Sequence, residues 1–297
     1  MTFAHRFDTD TLRRQLLDRL GAFTRPRDHG RHDHAERLFS YCTFSRERIA
    51  EIRLDHPLLG IVLKGSKEVW IGERGEVQIP GTVFVLPKGV ALDVVNIPDD
   101  CTGYYESLVF EVAALPPGIP PAPAPAMPQT LATTFRIGLT HDLVEALAHA
   151  AASIADPASR ESVKALRLAE VLALLREAPA ARSLFETGLA ERAAWRIAEA
   201  PDTNWTVSGL AADLGLGAST LRRRLAAEGT SFRAVLTTVR MRVAEHLIAA
   251  GASSFAAAEA AGYRSRSHFA RAYRRQHGTS PSGRAPRADL VWAGNLF

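Results

Sequence analysis

Apolar and polar residues follow three different rhythms along the chain, and each rhythm marks a region. Leu12, Leu16, Leu17 and Leu20 recur at helical spacing, which predicts a short amphipathic helix ending near Leu20. Over residues 38–111 the pattern changes to short runs rich in β-branched and aromatic residues, clearest at 59–63, 68–71, 77–79, 82–86, 92–95 and 107–110. Gly65, Gly72, Gly75, Gly81 and Gly89 punctuate these runs, with Pro80 and Pro87 at turns. Many short strands at this spacing predict a small all-β barrel or jelly roll. Residues 115–127 are mostly proline and alanine and read as a stiff, extended linker. Helical spacing returns over 142–150 and again over 162–176. In the second of these, Val163, Leu166, Ala169, Val171, Leu172, Leu174 and Leu175 make a broad apolar face. That face suits pairing with a second copy of the chain and packing on its own barrel equally well.

The last third of the chain holds two stretches built alike. Residues 206–225 and 255–275 each contain a short apolar helix, a glycine at a turn, and an arginine-bearing helix. In the first, Thr206 suits the N-cap, Leu210, Ala211 and Leu214 the buried side, and Gly215 a left-handed turn. Gly217 would cap the next helix, where Leu221 and Leu225 face inward and turn Ser219, Arg222 and Arg223 outward. In the second, Phe255, Ala258 and Ala261 are expected on the inner side, Gly262 at the turn and Ser265 at the cap. Tyr263, Phe269 and Tyr273 would be core, leaving Arg266, Ser267, His268 and Arg271 facing out. Arginine at such positions can read guanine bidentately in the major groove, while Arg224, Arg274 and Arg275 suit phosphates. A lead-in helix over 189–200 precedes the first stretch. Residues 231–249 read as one connecting helix of about 28 Å, a length that could place two reading helices near one DNA turn, about 34 Å, apart. A single such unit also fits a helix with a solvated basic face; two in tandem with matching turns favour a DNA-reading device.

Composition narrows the classes. With 297 residues the chain can hold two domains, each with its own core. It is 46% hydrophobic and 23% charged, ordinary for a soluble globular protein. No apolar run approaches the roughly 20 residues that cross a bilayer. The N-terminal stretch with His5, Arg6, Asp8 and Asp10 lacks the apolar core of a secretory signal. Cys42 and Cys101 cannot make a disulfide framework or a thiolate metal site by themselves, which favours a reducing cytoplasm. The formal charge of +4 is unevenly placed: residues 191–287 hold 15 arginines, no lysine and seven acidic residues, an excess of +8 that leaves −4 elsewhere. Only the last part is therefore expected to meet a polyanion. His29, His32 and His34, near Asp28 and Asp33, read as an exposed loop rather than a metal site.

Within the strands, Gly81 is followed after five residues by Pro87, then Lys88-Gly89, Leu92 and Asn96. This spacing resembles the second motif of the cupin family, with Leu92 at its metal-binding histidine. Gly65 would end the first motif, but the glutamate position falls on Leu58, and the upstream Glu51-Ile52-Arg53-Leu54-Asp55-His56 contains no His-x-His pair. The resemblance implies a cupin-like barrel. Leucines at the ligand positions argue against a catalytic metal, so no cofactor and no catalytic residue is expected, and His56 reads as a loop residue. Small barrels hold one small molecule in the mouth. Tyr41, Trp70 and Phe84, with Ile61, are candidates to point inward, and plain core packing is the alternative for each.

The segment Gly262-Tyr263-Arg264-Ser265-Arg266-Ser267-His268-Phe269-Ala270-Arg271-Ala272-Tyr273-Arg274-Arg275, followed by Gly278-Thr279-Ser280-Pro281-Ser282, resembles the signature of the AraC family of bacterial transcription regulators. The likeness covers residues 189–282, and 59–96 also look like the cupin-type N-terminal domain of one AraC branch, with 57–67 as the best-matching stretch. It implies Ser219, Arg222, Arg223, Arg266, Ser267, His268 and Arg271 as base readers. His277 departs from the usual aromatic, Gly283-Arg284-Ala285 from the usual tyrosine–arginine, and Ala256 and Ala257 from bulkier residues. The expected organisation is a cupin-like sensor (1–115), a linker (116–128), a helical dimerisation or connector region (129–187) and an all-α DNA-binding domain with two helix–turn–helix motifs (188–285). The expected protein is a cytoplasmic regulator, not an enzyme, acting on double-stranded promoter DNA with RNA polymerase, a small effector and a second copy as partners. The alternatives are an effector-independent regulator whose barrel only dimerises, and a metal-dependent cupin enzyme.

Overall fold

The leucine stripe near the N-terminus folds as helix α1 (Thr2–Arg19), which buries Leu12 and Leu16, with Leu20 buried just beyond it. The computed structural model describes residues 2–24, 28–116, 118–122 and 134–281, with side chains from Thr9 onward. Contacts divide the chain into two units, Met1–Glu186 and the residues from Thr187 on. Among the described residues, no helix is long and apolar enough to cross a membrane.

The first unit contains strands β1 (Gly30–Ala35), β2 (Leu38–Thr43), β3 (Glu47–Ile52), β4 (Leu58–Lys64), β5 (Ser66–Ile71), β6 (Arg74–Gln78), β7 (Val83–Leu86), β8 (Leu92–Ile97), β9 (Tyr105–Glu111) and β10 (Arg136–Ile137). They form two antiparallel sheets, ordered β1-β2-β9-β4-β7-β10 and β3-β8-β5-β6. The expected barrel is therefore open, because among the described residues no ladder joins the edges of one sheet to those of the other. The histidine stretch is not the loop expected from its polarity. His32 and His34 lie in edge strand β1, held by its register with β2, where His32 pairs with Ser40.

Period-two alternation sends the six-stranded sheet into two cores. Leu59, Ile61 and Leu63 of β4 join Val83, Val85, Leu108 and Phe110 in a layer covered by α1, α2 (His141–Ala155) and α3 (Glu161–Leu175). Arg19 Nη2 donates to Glu145 Oε2 at 2.6 Å and ties α1 to α2. The opposite face puts Val62, Phe84, Leu86 and Tyr105 against Val69 and Leu92 of the four-stranded sheet. Phe84 lies so close over its cross-strand partner Gly60 that a Cβ there would sit 2.2 Å from the ring. On α3 the apolar face is split: Val171, Leu172 and Leu175 are buried, while Val163, Leu166 and Leu174 are exposed, Leu166 at 67%.

The described part of the Pro/Ala stretch is not a free spacer. Ile119 is buried in the first unit's core, Ala122 N–H donates to Phe185 O, and the Arg176 guanidinium donates to the Pro120 and Pro121 carbonyls. Residues 117 and 123–127 of that stretch lie outside the described residues.

Between the two sheets sits one group of polar side chains, carried by β5, β8 and β3 of one sheet and β2 of the other. Lys67 Nζ donates to Asn96 Oδ1 at 2.5 Å, Asn96 Nδ2 donates to Glu47 Oε2 at 3.1 Å, and Tyr41 Oη donates to Glu47 Oε2 at 2.9 Å. Burial lowers the Lys67 pKa to about 7, opposed by the Glu47 charge. Burial alone would raise the Glu47 carboxyl, but hydrogen bonds from Asn96, Tyr41 and His29 together hold it below its ordinary value.

The second unit is all-helical: α4 (Leu189–Glu199), α5 (Val207–Asp213), α6 (Ala218–Ala227), α7 (Phe232–Ala249), α8 (Ser254–Ala260) and α9 (Arg266–His277). It has two cores. One joins α4, α5, α6 and the first half of α7 through Ile197, Leu210, Leu221, Leu225, Val235 and Val239. The other joins the second half of α7 to α8 and α9 through Met241, Ala244, Ile248, Ala258, Phe269 and Tyr273.

The Lys67 site has a pH consequence. The unfolded chain binds this proton below about pH 10.4, whereas the folded chain binds it only near 7. The unfolded state holds more protons in between, so stability rises with pH across that window. Lys67→Met is expected to raise the urea midpoint at about pH 7 and to flatten its rise toward about pH 9.5; equal slopes in both proteins would contradict the assignment.

Candidate nucleic-acid interface

Both halves of the second unit start from the same local chemistry. Thr206 Oγ1 accepts from Gly209 N–H at 3.0 Å to cap α5, and Ser253 Oγ accepts from Ala256 N–H at 3.2 Å to cap α8. Each short helix then ends on a glycine with left-handed φ, +67° at Gly215 and +74° at Gly262. Leu216 N–H reaches back to Ala211 O at 2.8 Å and Tyr263 N–H to Ala258 O at 2.9 Å, so both turns satisfy the last carbonyls in the same way. At Gly262 a side chain is also excluded by space, since a Cβ would lie 2.7 Å from Arg240 Nη2 and 2.8 Å from Pro201 O.

The helices after these turns present the arginines. On α6, Leu221 and Leu225 are buried, and Ser219, Arg222, Arg223 and Arg224 are exposed. On α9, Phe269 and Tyr273 are buried, and Arg266, Ser267, His268, Arg271, Arg274 and Arg275 are exposed. The structure thus brings the expected residues to one exposed side of each helix. The caps differ: Ser265 Oγ accepts from His268 N–H at 3.3 Å, while Gly217 caps α6 without a side-chain bond. The second turn is one residue longer, so Ser219 corresponds to Ser267 and Arg223 to Arg271. No group of three or more His, Cys, Asp or Glu side chains that could hold a metal occurs among the described residues.

One residue is placed otherwise than the apolar pattern suggests. Phe255, expected on the inner side of α8, is 52% exposed, and its ring lies 4.6 Å from the Arg266 guanidinium carbon. Ala257, Ala258 and Ala261 alone supply the buried side. His277 does the packing expected of an aromatic: its ring lies 4.5 Å from that of Tyr273, and Nδ1 lies 3.4 Å from Glu245 Oε2. The departures at 283–285 lie outside the described residues.

Two further residues frame α6 and α9 and carry no sequence signal. Glu228, at the C-terminal end of α6, accepts from Leu189 N–H and Ala190 N–H, both at 2.8 Å, and so caps α4 from 38 and 39 residues away. Arg240 of α7 donates through Nε to Pro201 O and through Nη2 to Thr203 O, both at 2.9 Å. Burial lowers the Arg240 pKa, opposed by Tyr263 and Asp202.

Residues 210–284 match a family model described as a helix-turn-helix domain. This part of the unit is a helix-turn-helix domain. An uncharacterised HTH-type transcriptional regulator of Mycobacterium tuberculosis is 41% identical over 78 residues, 26% of this chain and 23% of that protein. The regulator GadX of Escherichia coli is 37% identical over 105 residues, 31% of this chain and 38% of that protein. A solved structure of a probable AraC family transcriptional regulator from Rhodopseudomonas palustris is 28% identical, covers 32% of this chain and 91% of that one, and superposes with a TM-score of 0.29. The chain thus spans well under half the length of these two curated relatives.

The three aromatic candidates of the first unit do not line one cavity. Phe84 is packed in the core between the sheets, and Tyr41 is half-buried with its hydroxyl on Glu47. Trp70 is 36% exposed, on the opposite face of β5 from Lys67 and Val69. There it lines an open cleft of about 520 Å³ with Arg46, Arg48, Glu68, Asp93 and Val95.

Proposed function

We propose that the protein is a sequence-specific transcription regulator whose AraC-type domain reads two successive segments of double-stranded promoter DNA. What carries this reading is the duplication: two reading helices on one connecting helix, each with exposed arginines opposite a buried apolar pair. Ser219, Arg222 and Arg223 of α6, and Arg266, Ser267, His268 and Arg271 of α9, are the base-reading set, with Arg224, Arg274 and Arg275 on phosphates. RNA polymerase at the promoter and a cytoplasmic location belong to the same proposal.

We infer a sensing role for the first unit, with a small effector taken up by the cupin-like sandwich and altering promoter occupancy. The Lys67–Asn96–Glu47–Tyr41 group, with Lys67 and Asn96 buried, supports this, because it places polar chemistry between the two sheets. A second reading, in which this unit serves to dimerise, is favoured by the exposed Val163, Leu166 and Leu174 on α3.

Three measurements test these readings. Arg222→Ala or Arg271→Ala is expected to weaken binding to the specific site by about 1–3 kcal/mol, and Arg274→Ala to weaken all sequences alike and reduce the salt slope by about one. Unchanged specific binding in both of the first two variants would remove the reading-helix assignment. A panel of candidate metabolites should contain a compound that raises the thermal midpoint of the protein; flat responses throughout would count against the effector. Leu166→Glu is expected to turn a dimer into a monomer in analytical ultracentrifugation, and an unaltered sedimentation profile would place any self-association elsewhere.

A further inference from the structure

Arg266 occupies the first position of α9, directly after its Ser265 cap, where a recognition helix brings side chains to base edges. Among the described residues no carboxylate forms an ion pair with it. Its neighbour is instead the ring of Phe255, an apolar side chain left 52% exposed at the start of α8. Burial does not explain that ring, because the core beneath α8 is completed by Ala257, Ala258 and Ala261. The first half of the domain has no such pair: counted from the turns and caps, Ser208 and Ala218 stand where Phe255 and Arg266 stand. The aromatic and the arginine therefore occur together in one half and are both missing from the other.

A guanidinium resting on a ring face keeps its five N–H donors in the outer plane, free for a fork to O6 and N7 of guanine. A carboxylate partner would occupy those donors instead. The ring face also limits the rotamers of a long side chain before DNA arrives, so less freedom is lost on binding. We propose that Phe255 is a positioning residue for base reading by Arg266, and that this pair sets the sequence preference of the second reading helix at one base pair. The inference rests on the DNA-reading function proposed above.

The test uses the full-length protein and the tightest duplex that it selects from a randomised double-stranded library. Phe255→Ala should lower affinity for that duplex about two- to five-fold and relax base preference at the same position as Arg266→Ala. Phe255→Tyr should retain both affinity and preference, while Phe255→Leu, apolar but without a ring face, should behave as Phe255→Ala. In the Arg266→Ala background, Phe255→Ala should have no further effect on binding. An equal loss with and without Arg266, or relaxed preference at a different base pair, overturns the positioning role. If Arg266→Ala leaves affinity and preference intact while Arg271→Ala does not, Arg266 is not a reader and the pairing fails although DNA reading stands. If the selection enriches no sequence, the DNA-reading function itself fails.

Discussion

Helix α7 has to serve two cores at once, and the placement of both reading helices depends on how it does so. At about 100° per residue, Val235 and Val239 point one way, while Met241, Ala244 and Ile248 point to nearly the opposite side. The first pair packs under α6 and the second group under α9, so one rigid rod sets the relation between the two arginine faces. Arg240 stands at the crossover. It bonds the carbonyls of Pro201 and Thr203 on one side and approaches Gly262 and the Tyr263 ring on the other. A partly buried guanidinium is costly unless its donors are used, and here they fasten the loop after α4 to α7 beside the second turn.

Around that rod the two halves share a device but not its details. Capped short helices, left-handed glycines and buried pairs at four-residue spacing recur in both, which is why both place arginine outward. The turn of the second half carries one more residue, and that residue brings a serine to the cap of α9. The first reading helix begins on a backbone-only cap instead. Helix α6 begins with Ala218-Ser219 and α9 with Arg266-Ser267, so the two exposed faces are not copies of one another.

Much of this was legible in the sequence because it rests on local rules. Glycine at a left-handed position, serine or threonine before a helix, and leucines four apart are short-range signals, and α4 to α9 lie within a residue or two of their expected limits. Long-range causes were not legible. Strand β1 reads Gly-Arg-His-Asp-His-Ala and is a strand only because β2 pairs with it. Phe255 looked like core because apolar character alone cannot tell a buried ring from one set under a cation. The Pro/Ala stretch looked like a spacer, but Arg176 and Phe185, more than 50 residues on, bind its first part to the sheets. Glu228 and Arg240 act through backbone groups, which leave no trace in side-chain pattern.

The same limit applies to the open barrel, whose motif spacing does not say what the two sheets enclose. Leu92, at the position of a ligand histidine, is fully buried in the apolar layer with Phe84 and Val69. The polar residues that remain between the sheets, Lys67, Asn96 and Glu47, occupy cross-strand registers on β5, β8 and β3. A charge gained or lost at Lys67 is therefore felt by three neighbouring strands at once.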